Sequence, residues 1–72
     1  SEKEILERLL RLSKEQNEIS EEIHRLTERL VELKRRKDDD ERLKRILDRQ
    51  KRLVERAREI SKEYEDLLRK LE

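Results

Sequence analysis

Apolar residues recur through the first half of the chain at alternating steps of four and three: Ile5, Leu9, Leu12, Gln16, Ile19, Ile23, Leu26, Leu30 and Leu33. Only Gln16 interrupts the apolar row. The mean step is the heptad period, which keeps one stripe of an α-helix against a partner in a left-handed supercoil. A second row runs beside the first: Leu6, Leu10, Ser13, Asn17, Ser20, His24, Thr27 and Val31. Together they offer about four inward positions per heptad, wider than a two-stranded seam requires.

The second half repeats the pattern with Leu43, Ile46, Gln50, Leu53, Ala57, Ile60, Tyr64, Leu67 and Leu71, widened by Leu47, Val54, Ser61 and Leu68. The two seams are out of phase. Extending the first would put Lys37, Asp40 and Lys44 in the core, and all three are charged. The junction reads 34-KRRKDDDE-41, with bases where a helix C-terminus favours cations and acids where an N-terminus favours anions. The pattern predicts helix 1 over about 2–36, a turn at about 37–40 and helix 2 over about 41–71. Asp38 or Asp39 is the expected N-cap of helix 2, and Ser1 with Glu4 a capping box for helix 1. No glycine is available for the C-cap. One continuous helix is the competing reading.

Mirror matching favours the hairpin, an all-α helix-loop-helix. Folded antiparallel, Ile5 comes level with Leu71, Leu9 with Leu67, Leu12 with Tyr64, Gln16 with Ile60 and Ile19 with Ala57. Ile23 then meets Leu53, Leu26 meets Gln50, Leu30 meets Ile46 and Leu33 meets Leu43. Polar residues also gather at matching heights: Ser13, Gln16 and Asn17 beside Ser61 and Tyr64, and His24 and Thr27 beside Gln50, with Ser20 between. A buried polar group without a partner costs roughly 1–3 kcal/mol, while a satisfied hydrogen bond contributes only about 1. Grouped polar residues are therefore expected to form networks, which penalise a shifted register or a wrong helix count.

Two helices alone cannot cover so wide a face. Self-association is expected, with a four-helix homodimer favoured and a six-helix homotrimer as the alternative. The polar positions above, with Ile5, Leu6, Leu9, Leu10, Leu12, Ile19, Ile23, Leu26, Leu30, Leu33, Ile46, Leu53, Ile60 and Leu67, are the candidate oligomer interface.

Composition narrows the function classes. Charged residues make up 57% of the 72-residue chain and the net charge is +1, both signs being interspersed. Neither half is polybasic, so neither nucleic acid nor an anionic membrane surface is an expected partner. There is no Gly, Pro, Cys, Met, Trp or Phe, which excludes thiolate metal sites and turn-rich folds and points to long helices. No apolar run matches a membrane span or a signal-peptide core. The expectation is a soluble chain without a targeting signal, suited to recombinant cytoplasmic expression, its localisation otherwise open.

Candidate chemistry is sparse. His24 has Glu21 and Glu28 within a turn, but one imidazole with carboxylates is a poor zinc set. Tyr64 is the sole aromatic, at a seam position that suits a packed ring with its hydroxyl in a network. Ser13, Ser20 and Ser61 lack the elbow and oxyanion loop of a nucleophile. The basic run Lys34–Lys37 is answered at once by Asp38–Glu41, as dipole compensation requires. Acid-before-base pairs such as Glu4/Arg8, Glu32/Arg36 and Glu65/Arg69 read as solvated helix faces. No enzyme activity, cofactor, metal or small-molecule substrate is expected.

Unbroken heptads, the Ser1-x-x-Glu4 start, the charge-sorted turn and the polar layers Ser13/Gln16/Asn17/Ser61/Tyr64 and His24/Thr27/Gln50 resemble de novo designed helical-hairpin oligomers with buried hydrogen-bond networks. The resemblance covers the whole chain, although the glycine-free turn departs from the commoner designed loops. It implies a soluble, stable bundle with no natural function. That class includes homodimers, homotrimers and orthogonal heterodimers, so the implied partner is a second copy of the chain or a designed partner hairpin. A natural coiled-coil fragment is the remaining reading.

Overall fold

In the computed structural model, which describes residues 1–37 and 40–72, the chain is an all-α hairpin of two helices. Helix α1 spans Glu2–Arg35 and helix α2 spans Asp40–Leu71. The expected caps at Asp38 and Asp39 lie outside the described residues.

Each helix begins and ends as its charges dictate. Glu2 and Glu4 occupy the first turn of α1 and Lys34 and Arg35 its last; Asp40 and Glu41 open α2, and Arg69 and Lys70 close it. Acids thus sit at positive dipole ends and bases at negative ones. Ser1 Oγ accepts the Glu4 backbone N–H at 3.3 Å, satisfying one of the donors that the first helical turn leaves unpaired.

Termination of α1 without glycine falls to Lys37. Its φ is 54°, in the left-handed region, and its backbone N–H donates to the Lys34 carbonyl at 3.1 Å. That bond is one half of the Schellman closure usually built on glycine. A side chain in this conformation costs about 1–2 kcal/mol, since its β-carbon crowds the following carbonyl.

The hairpin measures 53 × 15 × 13 Å, half the ~108 Å that a continuous 72-residue helix would span at 1.5 Å per residue. The continuous-helix reading is therefore excluded. Between the arms lies a thin core of Leu12, Ile19, Leu53 and Ile60, with Ile23, Leu26, Ala57, Tyr64 and Leu67 packed against it. Leu12 and Ile60 are only 1% exposed, whereas Ile5, Leu30 and Ile46, nearer the ends, are half-buried. Among the described residues, no helix is long and apolar enough to cross a membrane.

Candidate functional site

The two flanks of the seam differ in kind. On one flank, residues just before the first seam position of each heptad form cross-helix ion pairs. Arg8 Nε and Nη2 reach the two carboxylate oxygens of Glu63 at 2.7 and 3.1 Å. Arg56 holds Glu15 at 2.9 Å through both nitrogens, and Arg49 holds Glu22 at 3.0 and 3.2 Å. All three are two-pronged, the geometry in which the planar guanidinium matches a carboxylate best. They succeed one another every seven residues, in register with the seam, and close this flank.

Their electrostatics follow the same geometry. The hydrogen bond from Arg56 is the largest influence on Glu15 and holds its carboxyl below the ordinary 4.5; Arg8 does the same for Glu63. Partial desolvation opposes both shifts without reversing them. Arg8 and Arg56 are reciprocally raised by these carboxylates.

These rungs were missed in the sequence, where the charges read as solvated faces with local partners. Glu32–Arg36 forms as a local pair at 2.9 Å, but Arg8 turns away from Glu4 to cross the seam, and Arg69 binds Asp66 rather than Glu65. The available signal was the opposite sign at each matched pair, 8 with 63, 15 with 56 and 22 with 49.

On the opposite flank the second row lies open. Leu6, Leu10, Val31, Leu47, Val54 and Leu68 are between 38% and 73% exposed. Ser13, Asn17, Ser20, His24, Thr27 and Ser61 share that flank and are exposed too. The flank is apolar at both ends, with polar residues and Val54 between.

Two glutamines cross from the seam to this open side. Gln16 Nε2 donates to Ser61 Oγ at 3.2 Å and to the Ala57 carbonyl at 3.4 Å. Gln50 Nε2 donates to Thr27 Oγ1 at 2.8 Å and to the Ile23 carbonyl at 3.4 Å. Thr27 Oγ1 passes its own proton back to the Ile23 carbonyl at 2.8 Å. Each amide thus straddles the rung opposite it, Ile60 and Leu26 respectively, which is the register of the mirror pattern.

The other polar candidates remain outside these contacts. Ser13, Asn17 and Tyr64 line a recess of about 300 Å³ with Leu12, Gln16, Ile60, Ser61 and Glu65. Gln16 Oε1 is buried and has no hydrogen-bond partner among the described residues. His24 pairs with Glu28, Nε2 to Oε1 at 2.7 Å, with both side chains largely exposed. No group of three or more His, Cys, Asp or Glu among the described residues is placed to hold a metal ion.

Comparison with protein-family models, curated proteins and solved structures finds no match.

Proposed function

We propose that the chain is a structural self-assembly module whose open flank is covered by a second copy, giving a four-helix homodimer of the designed-hairpin kind it resembles. The observation that carries this reading is the contrast between the flanks. Ion-pair rungs make one side self-sufficient, while exposed leucines and valines at both ends of the other, with polar residues between them, leave it incomplete. Clusters of exposed apolar residues rimmed by polar ones mark association sites.

Surface area agrees with that reading. The single hairpin exposes 6055 Å² at 9.0 kDa, where a compact monomer of that mass would expose about 4,900 Å². The excess is of the order that specific interfaces bury. Burying a large aliphatic side chain contributes about 1.5–3 kcal/mol, so a few residues of the open row from each copy would outweigh the cost of association. With the two hairpins docked in parallel, the same covering would bring hydroxyl and amide donors from Ser13 and Asn17 of a second copy to the height of Gln16 Oε1, which has no partner among the described residues.

Native mass spectrometry of the purified chain tests the reading. A two-copy mass at micromolar concentration is expected. A three-copy mass would keep self-assembly and replace the four-helix arrangement with a six-helix one. A lone copy would overturn self-assembly in favour of a partner hairpin of different sequence.

A further inference from the structure

The closed flank contains a fourth rung that does not fit its neighbours. Arg8 faces Glu63, Glu15 faces Arg56 and Glu22 faces Arg49. Seven residues further along both helices the same register brings Arg29 level with Arg42. Those two arginines, with Arg45 and Arg49, line one recess of about 280 Å³ whose remaining walls are Leu26 and Ile46.

Among the described residues, one carboxylate pairs with these four guanidinium groups. Glu22 engages Arg49, while Arg29, Arg42 and Arg45 have no acidic partner among the described residues. The carboxylate one turn from Arg29, Glu32, is already taken by Arg35 and Arg36. A merely solvated face needs no order in its charges, but this flank has order. Three complementary rungs precede a like-charged one at the turn end of the hairpin.

From this geometry we propose that the recess is a binding site for a tetrahedral oxyanion, inorganic phosphate being the simplest. Guanidinium groups present paired N–H donors to two oxygens at once, and arginines converging from both helices would each find an oxygen. Leu26 and Ile46 give the arginine stems an apolar wall, leaving the charged heads at the mouth. Bound between Arg29 and Arg42, the anion replaces repulsion across the rung with two attractions. It thereby does for this rung what glutamate does for the other three. The site lies on the flank away from the open row and does not depend on self-association.

Thermal unfolding of the full chain, followed by circular dichroism in low-salt buffer, tests the proposal. Inorganic phosphate is titrated against sodium chloride at matched ionic strength, because screening alone relieves some repulsion. Phosphate is expected to raise Tm beyond chloride, and the excess to keep growing with concentration as linkage requires. Arg42→Glu completes the rung; it should raise Tm without phosphate and abolish the phosphate-specific excess. An acid in the first turn of α2 suits the helix, so this variant is expected to fold. Arg29→Gln should also lose the excess, and Arg11→Gln, at the far end of the hairpin, should keep it. Equal responses to phosphate and chloride would overturn the proposal, as would an excess that survives Arg42→Glu or disappears in Arg11→Gln.

Discussion

Gln50 Nε2 donates to Thr27 Oγ1 across 2.8 Å, one residue past the Leu26 that it faces on the other arm. Gln16 repeats the arrangement from the opposite helix, reaching Ser61 one residue past Ile60. The two amides are related by the approximate two-fold of the hairpin and fasten it at two heights. Their difference is informative: Gln16 Oε1 is buried and has no partner among the described residues. An orphaned buried acceptor costs roughly 1–3 kcal/mol. Replacing Gln16, Asn17, Gln50 and Ser61 together with leucine should therefore keep or raise Tm. It should also broaden the distribution of oligomers, because leucine packs in many registers and amides in few. Melting curves and native mass spectra of the variant would check both halves. A variant that stayed at one sharp mass would show that the polar layers do not set the copy number.

Spacing made the fold legible because a heptad row has one interpretation at this length and a phase break has few. Leu33 to Leu43 is such a break, and the hairpin follows from it. The closed flank was harder to read, for a physical reason. Arg8 has an acid four residues before it and another across the seam at Glu63, and sequence distance favours the first. Partly desolvated two-pronged geometry favours the second, and that choice exists only once the arms are paired. Lys37 was illegible for a similar reason. Without a glycine to mark the stop, nothing local shows which residue will turn left-handed.

Lys37 offers the simplest stabilising change. Its φ of 54° suits glycine, which has no β-carbon to crowd the next carbonyl. Lys37→Gly is expected to stabilise the hairpin by about 1 kcal/mol, after allowing for the greater freedom glycine gains in the unfolded chain. For a chain of this size that corresponds to roughly 4–8 °C in Tm. A lower Tm would mean that the lysine side chain contributes more at the turn than its backbone strain costs.

The open flank separates assembly from folding. Leu6 and Leu10 lie there, and Leu10 is 73% exposed, so Leu10→Glu removes little from the single hairpin. At a covered interface the same change would forfeit about 1.5–3 kcal/mol of burial per copy and strand a carboxylate besides. Leu6→Glu with Leu10→Glu should shift the chain to single copies at micromolar concentration, as measured by light scattering. Unchanged oligomers would move the interface off this end of the hairpin.

The closed flank predicts an acid limit. Glu15 and Glu63 have carboxyls held below 4.5 by Arg56 and Arg8, so in the folded hairpin they bind protons less readily than in the unfolded chain. Their contribution is present above that value and is lost as pH falls through the depressed folded-state values. Arg8 and Arg56 are raised further above the ordinary arginine value by these carboxylates and stay charged throughout, so they add no slope in acid. Cooling of Tm is therefore expected as the pH drops below about 4.5, with Glu15→Gln plus Glu63→Gln starting lower at neutral pH and showing a shallower acid slope. The comparison isolates these two rungs from the many exposed carboxylates that both proteins share. If the double variant loses Tm in acid as steeply as the parent, the ion pairs are ornaments on a register that the leucines and glutamines already hold.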